Sequence, residues 1–339
     1  MFNGEKPLVC IYLSRLGCLA YTQAMLTQLA AHKPILVVAK ENADLFKDTH
    51  KLYTLNTAKT KVEHLIKSVT IQKVINELIT DLKKELGPFE LYFPAFHPWN
   101  INFLKTAKKE KLSTIITIHD YKTHPGESSL IIENLQNRII GLSSRSVFLT
   151  EYVKQQAIKE LGDQEKFAVI PHPIINAHST QALPHSAQPS LLFLGRGVAY
   201  KGLALLLTAI ETLPIQKLTV AGAQKEKLSI DDPKINIIDK YLDEAEIGEL
   251  LASHHILVLP YTEASQSGIL TLGLSAGIPM VITKVGGLQE QLPHEAAVWV
   301  EPEVESLRAG IERLIKEPEM YRNLQTRLKT HRNKSQLDK

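Results

Sequence analysis

Two stretches of the chain concentrate residues suited to holding an anion. The first, "LFLGRGVAYKGLALLLTAI" at 191–209, ends an apolar run at Leu194, passes through Gly195 and Gly197, and sets Arg196 and Lys201 at the entry of an amphipathic helix. Glycines allow a tight backbone path, and the free amides and dipole of a helix N-terminus attract negative charge, so a diphosphate fits this turn. An ordinary strand-to-helix connection has the same outline. The common nucleotide fingerprints do not fit: Tyr200 stands where G-x-G-x-x-G needs its third glycine, and Gly202 is followed by Leu203 rather than by the lysine of a phosphate loop. The second stretch, "YTEASQSGILTLGLSAGIPMVIT" at 261–283, carries Glu263, Ser265, Gln266, Ser267 and Gly268 into a helix that Gly277 and Pro279 should end after Ala276. One serine is enough to cap a helix. A run of small polar residues does more, because it leaves the amides of Ser267 and Gly268 open to an anion.

A third stretch, "TIHDYKTHPGE" at 117–127, places His119 and Asp120 directly after a strand and His124 in the following loop. A single histidine is more often structural than catalytic. A His-Asp pair at a strand end is better placed, since ligands of open α/β sheets bind beyond the C-terminal ends of the strands. His172, between Pro171 and Pro173, has two readings, a hinge or donor contact and a residue that simply fixes the path of the chain, and it is left out of the site.

The elements that must position these residues follow from the apolar pattern. Short runs rich in Val and Ile recur at 7–14, 34–40, 91–95, 113–119, 146–150 and 167–173, with helical segments between them. Continuous rather than alternating apolar strands indicate a parallel sheet covered on both faces. Residues 174–189 break the rhythm as a linker does. A second series follows at 190–195, 217–222, 235–239, 255–261, 278–283 and 296–302. The expected fold is therefore α/β, two Rossmann-like doubly wound domains facing each other across a cleft. Residues 1–178 form the first, 179–318 the second, and 319–339 a basic helix packing back toward the first. A long helix over 59–86 has an apolar stripe of Val62, Leu65, Ile66, Val69, Val74, Leu78 and Leu82.

The 339 residues carry a formal charge of only +3, which does not indicate a nucleic-acid partner. Its distribution is uneven. Residues 1–178 have 22 basic and 17 acidic side chains, the last 21 residues have 6 and 2, and 179–318 are acidic. Cys10 and Cys18 are the only cysteines and have no metal-ligand spacing, which fits a reducing cytoplasm. No apolar run approaches the ~20 residues that span a bilayer. Membrane contact would be peripheral, through Lys59, Lys61, Lys67, Lys73, Lys105, Lys108, Lys109 and Lys111.

Taken together, "FLGR…YKGLALLLTAI", "LTVAG", "DEAEIGELLASHHILVLPY" and "SG…GLSAGIPMVITKVGGLQE" resemble, in order and spacing, the nucleotide-sugar domain of the retaining family-4 glycosyltransferases of the GT-B fold. The resemblance covers 190–292 closely and most of the first domain less closely. It implies that Arg196 and Lys201 grip the donor diphosphate, that Tyr241 lies near the nucleobase, and that Glu263, Gln266, Ser267 and Gly268 line the donor site. "YLSRLGCLAYTQAMLTQL" at 12–29 resembles the family's glycine loop, which assigns Gly17 to the donor. His119, with Asp120, would lie beside the reacting sugar, and His124 in the acceptor loop.

One departure stands out. The family carries two glutamates eight positions apart, and aligning on Gly277 and Pro279 puts Ala264 and Leu272 in their places. "EASQSG" is similar to a branch with "ATQSG" here. The resemblance implies a retaining, metal-independent transferase, with no cofactor beyond its nucleotide-sugar donor, that glycosylates a glycan or lipid-linked acceptor in cell-surface polysaccharide or glycolipid synthesis, in the cytoplasm or at the inner membrane surface. The absence of an Asp-x-Asp pair agrees with metal independence. Two alternatives are a non-catalytic nucleotide- or glycan-binding relative and a GT-B sugar-nucleotide epimerase. A nicotinamide dehydrogenase is disfavoured, because no dinucleotide fingerprint follows any strand.

Overall fold

The computed structural model describes residues 6–14, 18–57, 61–124, 129–177, 182–223 and 230–337, with backbone only at 61–62, 64–66, 68–69 and 334–337. The chain divides into two compact units. One comprises the residues up to Thr123 and Ser129–Pro171, and the other comprises His124 and the residues from His172 onward.

In the first unit, seven strands form a parallel sheet: β1 (Leu8–Tyr12), β2 (Ile35–Ala39), β3 (Leu52–Leu55), β4 (Glu90–Phe93), β5 (Ser113–Ile118), β6 (Arg145–Phe148) and β7 (Phe167–Val169). Their order is β3-β2-β1-β4-β5-β6-β7, and every pairing is parallel. The helices are α1 (Leu19–Gln28), α2 (Lys61–Leu86), α3 (Asn100–Lys109), α4 (Leu130–Leu142) and α5 (Glu151–Leu161). On β1, Val9 and Ile11 enter one core with Ile75, Phe103 and Ile140, while Cys10 and Tyr12 enter another with Tyr21 and Met25. Both faces of the strand are buried, which is why its sequence runs apolar without alternation.

Two features differ from the sequence reading. β3 is an additional strand. It forms the sheet edge and is only partly buried, so "LYTL" lacks the continuous apolar run of its neighbours. In α2 the buried stripe is Ile71, Ile75, Ile79 and Leu82, and Val74 is 41% exposed. Val74 is a quarter-turn off the face that the i, i+4 spacing of the isoleucines defines. The side chains of Val62, Leu65, Ile66 and Val69 lie outside the described residues.

In the second unit, β8 (Ser190–Leu194), β9 (Lys217–Ala221), β10 (Ile235–Ile238), β11 (Ile256–Leu259), β12 (Met280–Thr283) and β13 (Val298–Val300) form a parallel sheet ordered β10-β9-β8-β11-β12-β13. Around it lie α6 (Leu203–Ile210), α7 (Glu244–Ala252), α8 (Gly268–Ala276), α9 (Val304–Lys316) and α10 (Pro318–Leu337). Although polar overall, α10 buries Tyr321, Leu324 and Leu328, and its Arg332 and Arg327 donate to the carbonyls of Ser275 and Glu295. The second sheet has the 3-2-1-4-5-6 order of doubly wound folds, and the first extends the same order by a seventh strand. That order reverses between β8 and β11 in the second unit, the strands that precede the two anion-binding stretches.

Candidate functional site

In the second unit, chain direction and strand order bring the two stretches together. β8 and β11 are neighbours, so the turn after Leu194 and the loop after Leu259 emerge side by side at the C-terminal edge of the sheet. Their approach depends on Gly202. With φ +72 it occupies the left-handed region, and a Cβ there would sit 1.7 Å from the Pro260 carbonyl oxygen. The adjacent strand end is equally tight, since a Cβ on Gly222 (φ +128) would meet the Gly195 carbonyl oxygen at 2.3 Å. The Thr262 amide donates to the Tyr200 carbonyl at 2.8 Å, joining the loop after β11 to the 3-10 turn Ala199–Lys201.

Lys201 extends from that turn so that its ammonium lies 3.7 Å from the centroid of the Tyr261 ring and 5.2 Å from that of Tyr200. The Tyr261 hydroxyl is 3.2 Å from Ser267 Oγ. Ser267 is the N-cap of α8: it has extended backbone angles and accepts from the Leu270 amide. Thus Lys201 and the N-cap Ser267 meet on one tyrosine. The expectation for the Ser267 amide is corrected, because it donates to Gln291 Oε1 at 2.7 Å and is already committed. Helical geometry still leaves the Gly268 and Ile269 amides without an intrahelical acceptor. Gln266 Oε1 is buried and has no hydrogen-bond partner among the described residues.

The remaining sequence candidates are dispersed. Arg196 is exposed at the end of β8. Glu263 Oε1 faces His124 Nδ1 at 3.3 Å, and the His124 ring stacks on Tyr200 at 4.2 Å, so the acceptor-loop histidine groups with the donor-side residues of its own unit. Tyr241 stands apart, 62% exposed on the loop after the edge strand β10. Ala264 and Leu272 are both buried apolar residues, so neither familiar glutamate position presents a polar group. Gly17 lies outside the described residues. Tyr261 and Gln291 carry no signal in the sequence, and His172, left out of the site there, joins them. His172 borders the head of α8, where a Cβ on Gly268 would be 3.8 Å from its Nε2.

In the first unit, His119 follows β5 and its Nε2–H donates to the Pro94 carbonyl at 2.8 Å. A carbonyl only accepts, so this bond assigns the proton to Nε2. The ring packs edge-on against Tyr21 at 4.4 Å, and the Tyr21 hydroxyl joins a buried cluster with Tyr92 and Thr117. Burial alone would depress the His119 pKa. The Cys18 sulfur, the Pro94 carbonyl and Asp120 together more than offset it and push the pKa up to about 9. The raised pKa favours the protonated ring, suited to donating a hydrogen bond or stabilising negative charge rather than to accepting a proton. The backbone at Asp120 is held by Gln136, whose Nε2 donates to its carbonyl at 2.6 Å. Cys18 carried no sequence signal. It precedes α1 in a left-handed conformation, φ 61, and its carbonyl accepts from the Thr22 amide and hydroxyl.

An NMR titration should find the His119 midpoint near pH 9 and see it fall in Cys18→Ala; a wild-type midpoint at or below 6.5 would contradict the assigned contacts. The sign for stability follows from linkage. The folded-state pKa is raised, so the stabilisation is fully present below about pH 6.5 and is lost as pH rises through about 9.

Residues 188–317 match the family described as Glycosyl transferases group 1, so the second unit carries a glycosyl transferases group 1 domain. The whole chain is similar in fold to solved GT-B glycosyltransferases. Anabaena HepE in complex with UDP and glucose aligns at 12% identity over 96% of this chain and 95% of that one, with a TM-score of 0.74. The sucrose-phosphate synthase of Thermosynechococcus elongatus gives 14% identity, 96% and 94% coverage and 0.73. A glycosyltransferase from Rickettsia africae gives 16%, 96% and 92%, and 0.70. None of the curated proteins matches this sequence. The two parallel Rossmann-like sheets are thus those of the GT-B architecture. Among the described residues, no helix is long and apolar enough to cross a membrane.

Proposed function

We propose that the protein is a retaining, metal-independent glycosyltransferase that moves a sugar from a nucleoside diphosphate to an acceptor hydroxyl. The observation that carries this reading is the convergence, at the strand-order reversal of the second unit, of Lys201 and the head of α8 around Tyr261. A sugar leaving a diphosphate deposits negative charge on its β-phosphate. Lys201, Arg196 and the amides of Gly268 and Ile269 would stabilise that charge as it develops, which is the usual source of the largest catalytic term. These groups supply the neutralisation that a divalent ion provides in other transferases. The buried Gln266 Oε1 would accept from a donor hydroxyl, relieving an unmet hydrogen bond.

In the reaction, the bond from the anomeric carbon to the β-phosphate oxygen breaks and the acceptor oxygen bonds that carbon on the same face. The acceptor proton passes to the leaving diphosphate. His119, its protonated form favoured by its surroundings, polarises or orients the sugar or acceptor, with Asp120 beside it in sequence. Tyr241 is assigned to the nucleobase by resemblance alone, and the acceptor is a glycan or lipid-linked sugar of cell-surface polysaccharide or glycolipid synthesis. Contact with the inner membrane surface would use the exposed Lys105, Lys108, Lys109 and Lys111.

HepE has been crystallised with UDP-glucose, which makes that donor the first to test. A thermal-shift screen of nucleotide sugars should find one that raises the melting temperature, since ligand at 100 times its Kd adds about 2.7 kcal/mol. Transfer to an acceptor panel should follow with the same donor. Stabilisation without turnover would favour a binding protein, a new nucleotide sugar formed without acceptor would favour an epimerase, and no stabilisation by any donor would overturn the reading.

A further inference from the structure

We propose that Tyr261 is the positioning residue of the donor site: its buried ring holds the Lys201 ammonium and its hydroxyl holds Ser267, so one side chain sets both anion-binding elements. The proposal rests on the donor-side reading above. Tyr261 is fully buried, and its carbonyl accepts from the Thr283 hydroxyl at 2.5 Å, which anchors the residue from below. A lysine at a binding site must be fixed in place without losing its charge. A carboxylate partner would fix it but would cancel the charge and compete with an arriving diphosphate. An aromatic face attracts the cation through its quadrupole and leaves the ammonium N–H donors available. Among the described residues, Lys201 is held in this second way: its ammonium lies over Tyr261 at 3.7 Å and pairs with no carboxylate.

The hydroxyl has a separate task. A buried phenol needs a hydrogen-bond partner, and Ser267 Oγ at 3.2 Å provides it. Ser267 is gripped from its other side by Gln291, which accepts from its amide at 2.7 Å. The head of α8 is thereby held between Tyr261 and Gln291, and Lys201 is held against the same Tyr261 ring. Preorganisation of this kind lowers the cost of binding, because the ordering of a flexible lysine is completed before the ligand arrives.

The test is a double-mutant cycle read by calorimetric affinity for UDP, GDP, ADP and TDP. Tyr261→Leu, which removes the ring, should weaken the nucleoside diphosphate that binds by roughly tenfold. Tyr261→Phe, which keeps the ring, should lose no more than about threefold. In a Lys201→Ala background Tyr261→Leu should weaken binding no more than Tyr261→Phe does, because no ammonium is left for the ring to position and only the hydroxyl's hold on Ser267 is lost. A purely structural role would instead make the two losses additive, so additivity overturns the proposal, as does equal weakening by Phe and Leu. A wild-type protein that binds none of the four would overturn the donor-side reading itself. Binding with an unaltered Leu variant would overturn only the role of Tyr261.

Discussion

Lys201→Ala is expected to lower turnover by at least about a hundredfold while the protein remains folded, the loss typical of one removed charge-stabilising donor. Within the "GRGVAYKG" turn, Lys201 lies over Tyr261, whose hydroxyl contacts Ser267 at the head of α8. Its ammonium makes no ion pair among the described residues, so truncation removes charge without orphaning a buried carboxylate. That is why the fold should survive. The check is donor-dependent transfer beside a thermal melt of the same preparation. An unchanged melt with a lost rate supports the diphosphate role, whereas near-normal turnover sinks it. Lys201→Arg should recover part of the rate, since guanidinium also stacks on aromatic rings and binds phosphate, but with a different reach.

Gly202→Ala is expected to act on the fold before it acts on any chemistry. The residue is left-handed, and an alanine Cβ would overlap the Pro260 carbonyl oxygen at 1.7 Å. That atom is main chain in a loop tied to Tyr200 through the Thr262 amide, so it has little room to retreat. Strain at a special backbone position combined with overpacking belongs to the few mechanisms that cost roughly 4 kcal/mol or more. The midpoint of thermal unfolding of the second unit should fall by about 8 °C or more. A midpoint within about 2 °C of wild type would show that the loops after β8 and β11 can part without penalty. Their close approach could then not be what fixes Lys201 against Tyr261.

Much of the fold was legible because parallel strands buried on both faces announce themselves. "PLVCIYLS", "PILVVAK" and "HILVLPY" are apolar at successive positions, and β1, β2 and β11 lie within them. β3 was illegible for the complementary reason: an edge strand is covered on fewer sides, and its half-polar sequence resembles a loop. Within the site, the cap at Ser267 and the stop at Gly277, which has φ +74, follow from local helix chemistry and could be read directly. Gln291 could not. It lies 24 residues beyond Ser267 and reaches it only because the segment after β12 returns beside the head of α8. Cys18 was equally hidden, since its effect on His119 joins residues about a hundred positions apart.

From the sequence alone come the order of the strands and helices apart from the edge strand β3, the division into two parallel-sheet halves, and the identity of the charged and small residues at the strand ends. These properties are encoded over spans of two to four residues, through side-chain alternation, helical repeat and capping. Tertiary structure alone decided that the turn after β8 meets the loop after β11, that Tyr261 lies beneath Lys201, and that Gln291 already occupies the Ser267 amide. Those contacts depend on strand order and on complementary packing between distant segments, and no local periodicity records either.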